Sequence, residues 1–179
     1  MKTTKKVKGF TLIELIVVIA IIGVLAAILV PTMLGYVRKS KISSINTAAS
    51  NVYKAINSAL TELDEEGVDV SDCLILKYNG TAWSTDDDTI ETNLGEGNKF
   101  DKKVENFFAS IPKVKAAAAR VDGGACVAVA VAQDNTYTGT YPTGVVTNET
   151  YETYKDKNVD LALTAAEEKA KWTGSDSND

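Results

Sequence analysis

The chain has 179 residues and a formal net charge of −5; 45% of its residues are hydrophobic but only 7% aromatic. That is length for one modest domain plus a long terminal helix, with a core made mostly of aliphatic residues and alanine. It has no histidine, which removes the commonest general base, the commonest zinc ligand and every Ser-His or Cys-His nucleophile arrangement, and its acidity argues against a broad nucleic-acid-binding surface.

Residues 1–9 read as a basic leader carrying Lys2, Lys5, Lys6 and Lys8. These lysines favour the cytoplasmic side of a membrane, although Arg38, Lys39 and Lys41 flank the far end of the run that follows. From Phe10 to Val30 almost every residue is aliphatic, enough to cross a hydrocarbon core of roughly 30 Å as a helix. Glu14 sits one turn inside, where a carboxylate is costly unless it meets a partner. A cut after Gly9 would supply one, because Phe10 would gain an α-amino group. That group would lie one helical turn from Glu14, or would face Glu14 of a neighbouring chain. Unlike removal of a secretory signal peptide, the cut leaves the apolar run attached; it takes the net charge from −5 to about −9. Ala20, Gly23, Ala26 and Ala27 let helices approach closely in an apolar medium. Helix–helix packing is therefore expected rather than passive anchoring.

Gly23 and Pro31 bracket the weakest interval of this helix. Pro31 cannot donate to the carbonyl of Ala27, and Gly23 lowers helix propensity. Beyond Pro31, across residues 32–67, Leu34, Val37, Ile42, Ile45, Ala48, Ala49, Val52, Ile56, Ala59, Leu60 and Leu63 recur every three or four residues. They form one apolar stripe for packing on a globular domain. Lys39, Ser43, Asn46, Ser50, Asn51, Lys54, Ser58 and Glu62 occupy the other face, and Gly67 is a C-terminal stop. From Phe10 to Glu66 the helix would be about 85 Å long at 1.5 Å per residue, and its first half has no partner within its own chain.

Residues 68–179 should hold the globular part. Residues 73–78 and 81–84, separated by Asn79-Gly80, predict a hairpin. Asp86-Asp87-Asp88 lacks the ligand spacing of a calcium loop and reads as a solvated charged loop. Residues 99–110 predict a short helix with Phe100, Val104, Phe107 and Phe108 on one side, closed by Pro112. Two strands flank Asp122-Gly123-Gly124. Residues 126–131 are the clearer one, with an unbroken apolar run that asks for a central place under the long helix; Ala116–Ala119 fit a strand or a helix equally. A hydroxyl- and tyrosine-rich stretch from Asp134 predicts surface strands or ordered loops. Residues 164–172 predict a short helix, and residues 173–179 a polar tail. Cys73 and Cys126 either form one bridge, closing about 53 residues and stabilising by roughly 4 kcal/mol on the chain-entropy model, or remain two buried thiols. Their spacing has no metal-site logic, and nothing in the chain predicts a metal or cofactor.

Gly9-Phe10-Thr11-Leu12-Ile13-Glu14, the basic leader before it, Gly23 and Pro31 resemble the N-terminus of a type IV prepilin with a short, type IVa-like leader. The resemblance is specific over about the first 45 residues and is one of plan beyond them. It implies an α+β pilin fold, a long N-terminal helix whose second half packs on an antiparallel sheet. It also implies cleavage between Gly9 and Phe10 by a prepilin peptidase and N-methylation of Phe10. A charge pair between Phe10 and Glu14 of adjacent subunits, and local loss of helical order between Gly23 and Pro31 in the filament, follow from it too. The implied partners are copies of the chain, the peptidase/methyltransferase, an assembly platform with its ATPase, minor pilins, and the inner membrane before assembly. The implied product is an extracellular fibre for adhesion, twitching motility or DNA uptake, and not an enzyme. The chain departs from pilins that fasten a C-terminal loop with a cysteine pair, since neither of its cysteines is C-terminal. A pseudopilin of a secretion or competence system and a minor pilin share the same N-terminus. A membrane-tethered enzyme or binding domain would leave Glu14 without a purpose, and the chain lacks any nucleophile elbow or phosphate loop.

Overall fold

The computed structural model describes residues 9–71, 73–85, 99–109 and 111–172. The leader before Gly9, the Asp86-Asp87-Asp88 run, Ser110 and the polar tail lie outside the described residues. The chain divides into two units, Met1–Arg38 and Lys39–Asp179, and helix α1 (Leu12–Glu65) runs through both.

In the first unit α1 passes Gly23 and Pro31 without a break, because one missing donor weakens a helix without abolishing it. No described residue of this unit is buried; Ile13 is 69% exposed and Val24 65%.

In the second unit the predicted stripe is the core face. Ile42, Ile45, Ala48, Ala49, Val52, Ile56, Ala59, Leu60 and Leu63 are buried, together with Ala55. The helix stops as Gly67 predicts. Gly67 takes a left-handed φ of 81°, its N–H donates to the Asp64 carbonyl at 2.9 Å, and the N–H of Val68 donates to that of Leu63 at 3.0 Å. This Schellman pattern satisfies two carbonyls that a helix end otherwise strands.

Among the described residues five strands follow: β1 (Leu74–Tyr78), β2 (Trp83–Thr85), β3 (Ala116–Asp122), β4 (Ala125–Ala132) and β5 (Thr138–Tyr141). They form one sheet in the order β2-β1-β3-β4-β5, every neighbouring pair antiparallel. The alanine run that fitted either a helix or a strand is a strand, held by pairing on both sides. β4 is interior to the sheet but not its centre; that place is taken by β3. The hairpin at Asn79-Gly80 is wider than the two-residue turn expected. Its last pair is Tyr78 with Trp83, and Asn79 Oδ1 accepts from the amides of Thr81 and Ala82 at 2.9 and 3.0 Å, holding four residues in the turn.

Alternation along the strands gives each face its own cover. Leu74, Leu76, Tyr78, Ala117, Ala119, Val121, Val129 and Val131 pack under α1. Ala118, Ala128, Ala130 and Ala132 pack against Val159, Ala162, Leu163 and Ala166 of a C-terminal helix. That helix, α3 (Val159–Ala170), begins earlier than its apolar pattern indicated, because Asn158 caps it by accepting from the Leu161 amide. The sheet is therefore covered on both faces. Between the strands, α2 (Lys99–Phe107) buries Phe100 and Val104 but leaves Phe107 46% exposed. It ends before the predicted boundary, and a 3-10 turn, Ile111–Lys113, follows.

The two cysteines lie on opposite sides of this sheet. The β3–β4 register skips Val127, pairing Arg120 with Ala128 and Val121 with Cys126. That bulge turns Cys126 under α1, where its amide donates to Asn57 Oδ1 at 3.0 Å. Cys73 is exposed, 4.0 Å from Arg120 Nη1 on the α3 side. Both thiols are free, so the bridge raised from sequence does not form in this structure, and of the alternative only Cys126 is the buried thiol. Burial pushes the Cys126 thiol well above its ordinary pKa.

Candidate functional site

The first unit carries the residues singled out from sequence for processing and assembly. Gly9 and Phe10 precede the helix and are exposed, Phe10 by 86%. The hydrogen-bond ladder of α1 begins at the Thr11 carbonyl, which accepts from the Leu15 amide at 3.3 Å. The carbonyls of Gly9 and Phe10 lie outside that ladder.

Thr11 closes the start of the helix. Its Oγ1 accepts from the Glu14 amide at 3.3 Å and donates to Glu14 Oε2 at 2.7 Å, while its own amide donates to the same Oε2 at 2.8 Å. This is a reciprocal capping box, in which an N-cap hydroxyl and the carboxylate three residues on each satisfy an orphan amide. The pattern Thr-x-x-Glu before an apolar run was its sequence signal, and the reading of Glu14 through charge alone passed over it. Phe10, Ile13, Glu14, Val17 and Val18 line one shallow hollow on a single helix face. The structure thus gives Glu14 and Phe10 a common face, while the contacts described for the carboxylate are with Thr11.

Gly23 and Pro31 lie within the continuous part of α1, and Thr32 Oγ1 donates to the Leu29 carbonyl at 2.8 Å beside Pro31. Among the described residues no group of three or more His, Cys, Asp or Glu side chains could hold a metal.

In the second unit, two asparagines of α1 that hydrophobic patterning does not single out join helix to sheet. Asn46, placed on the polar face by periodicity, is half-buried. Its Oδ1 accepts from the Thr140 amide at 2.9 Å and its Nδ2 donates to the Val146 carbonyl at 3.3 Å. Asn57 receives the Cys126 amide, as above, and donates to the Tyr53 carbonyl at 3.0 Å. On the opposite face Arg120 Nε donates to Glu167 Oε1 at 2.8 Å, and its guanidinium lies 4.6 Å from the Trp172 ring centre. Trp172 Nε1 in turn donates to Asp122 Oδ2 at 2.8 Å, which fastens the end of α3.

The model of the family described as "Prokaryotic N-terminal methylation motif" matches residues 4–30. The chain is 35% identical over 101 residues to the type IV major fimbrial protein FimA of Dichelobacter nodosus, a match covering 55% of this chain and 63% of that one. It is 46% identical over 57 residues to the type IV major pilin protein PilA of Myxococcus xanthus (strain DK1622), covering 32% and 26% of the two chains. It is 43% identical over 58 residues to a fimbrial protein of Pseudomonas aeruginosa, covering 32% and 38%. The chain spans less than two thirds of the length of each of these relatives, and no solved structure matches it. At the head of a bare apolar helix the chain thus matches the methylation-motif model, and over its N-terminal part it is similar to type IV major pilins.

Proposed function

We propose that this chain is the structural subunit of a type IV pilus. It enters the cytoplasmic membrane through residues 10–31, is cut between Gly9 and Phe10 by a prepilin peptidase and is N-methylated on Phe10. An assembly platform and its ATPase, with minor pilins, polymerise it through its N-terminal helix into an extracellular filament for adhesion, twitching motility or DNA uptake.

The observation that carries this reading is the uncovered first half of α1. Its most apolar stretch has a mean hydropathy of 3.2 with none of it buried, and the motif Gly9-Phe10-Thr11-Leu12-Ile13-Glu14 stands at its head. Apolar surface on this scale marks an interaction surface. Lipid covers it in the precursor, and copies of the same helix cover it in the fibre. In the bundle the Phe10 ammonium of one subunit answers Glu14 of the next, because a carboxylate buried without a cation is strongly destabilising. That requirement fixes the axial position of each subunit. The similarity to proteins named as major pilins supports the principal subunit rather than a pseudopilin or a priming component.

Mass spectrometry of filaments sheared from the cell surface tests this reading. The expected result is an abundant chain that begins at Phe10 and carries one methyl on its α-amine. A chain that keeps residues 1–9 and stays monomeric in the membrane would overturn it.

A further inference from the structure

We infer that Thr11 is a positioning residue for the maturation cut: its capping of α1 holds the Gly9–Phe10 peptide bond outside the helix, in the form a peptidase can take. This rests on the pilin reading above. A bond wrapped in a helix has its carbonyl engaged four residues on and must be unwound before it can enter a cleft; an exposed, unladdered one need not be.

The hydrogen bonds show why the helix stops where it does. The amides of Leu12, Ile13 and Glu14 have no intrahelical acceptor when the ladder starts at Thr11. Left uncapped in apolar surroundings, they are costly, and the helical ladder would next draw on the carbonyls four residues back in sequence, those of Gly9 and Phe10 among them. Recruiting those carbonyls would extend α1 by one turn and give the Gly9 carbonyl, at the cut, to the Ile13 amide. Thr11 Oγ1 prevents this at the Glu14 amide, which it already occupies, and Glu14 Oε2 ties down the Thr11 amide from the other side. Gly9, a poor helix former, gives a second brake on the other side of the bond. The hydroxyl and the glycine therefore flank the bond to be cut, while Phe10 between them is 86% exposed. The role assigned to Thr11 precedes assembly and is separate from the pairing of Glu14 with the Phe10 amine.

The test compares trimming of the full chain, Thr11→Ser and Thr11→Val in membranes containing a prepilin peptidase, followed by mass against time. Serine keeps the cap; valine keeps the shape and removes it. Thr11→Ser should be trimmed at the parent rate. Thr11→Val should be slowed about fivefold, which corresponds to the ~1 kcal/mol lost with an N-cap. In detergent micelles, the amide of Ile13 in the uncut Thr11→Val chain should gain protection from hydrogen exchange as the helix moves upstream and the Gly9 carbonyl accepts from it. Equal rates for parent and Thr11→Val, or equal slowing of Thr11→Ser and Thr11→Val, would overturn the role of Thr11 alone. Failure of the parent chain to be cut after Gly9 would overturn the pilin reading with it.

Discussion

At Gly139 the packing leaves room for a hydrogen and nothing larger. A methyl built there would overlap the backbone and side chain of Ile45 in α1, so β5 lies against the helix because it carries glycine at that position. We expect Gly139→Ala to destabilise the protein by about 1–3 kcal/mol, the usual cost of forcing extra volume into a packed site. A lowered midpoint in urea denaturation of the chain in detergent would show it; an unchanged midpoint would mean that the strand can retreat freely. Neither this contact nor the role of Asn46 was legible in the sequence, and for a common reason. A stripe of Ile42, Ile45, Ala49, Val52 and Ile56 announces which way a helix faces, because burial repeats with the helical period. A single glycine or asparagine that meets one backbone amide has no period and shows only when the partner strand is in place. The Thr11–Glu14 box is the exception, since its spacing is local and could have been read directly.

Among the elements, α2 is held from two sides by groups whose protonation opposes one another. Lys103 Nζ donates to Glu66 Oε1 at 2.7 Å and Glu62 Oε2 at 2.8 Å, tying α2 to the last turns of α1. These bonds hold the Lys103 ammonium above the ordinary lysine pKa and, with Lys103 as donor, draw Glu66 below the carboxylate range. A carboxylate with a depressed pKa in the folded state contributes stability above its unfolded value, and that contribution is lost as pH falls through the folded value. Lys103 contributes at neutral pH and its share is lost only as pH rises beyond the lysine range. Asp101 runs the other way. Burial raises its pKa despite the hydrogen bond from the Trp83 amide, with the charge of Glu105 adding to the rise. The native state therefore holds that proton more tightly, and stability increases as pH falls through the folded value. The expected outcome is a partial loosening of α2 below about pH 4.3, the ordinary glutamate value, partly offset by Asp101. Hydrogen exchange corrected for intrinsic rates checks it. Protection of Val104 and Phe108 should fall between pH 6 and pH 3 in the parent chain. In Lys103→Met it should be low already at pH 6 and change less; identical profiles would remove the clamp from the account. The elements themselves were largely readable, α1, the β1–β2 pair, β4 and α2 from period and turn residues. The short register skip at Val127 was not, and it decides the fate of the cysteines. Strand periodicity alone would put Cys126 and Ala128 on one face, and the bulge separates them.

For the whole molecule, the two units meet different demands. The second buries its core by itself, whereas the first leaves its apolar residues uncovered. Glu14 is where this division can be probed, and the capping box sharpens the test. Glu14→Val removes both the charge and the acceptor for the Thr11 amide, while Glu14→Gln keeps an acceptor and removes only the charge. Both variants should insert in the membrane, and both should yield few filaments by electron microscopy of sheared material. Normal filament yield from Glu14→Gln would mean that the hydrogen bond, and not the pairing with the Phe10 amine, is what assembly needs.

The rims of the sheet have a bearing on crowding. Among the described residues, strands β2 and β5 form its borders. One outward amide on each is taken by a side chain, that of Trp83 by Asp101 and that of Thr140 by Asn46. Unguarded rims invite neighbouring molecules to zip on, strand against strand. In the filament proposed above, identical domains would meet at very high local concentration, and a side chain on one amide of each rim would work against their fusing into a continuous sheet.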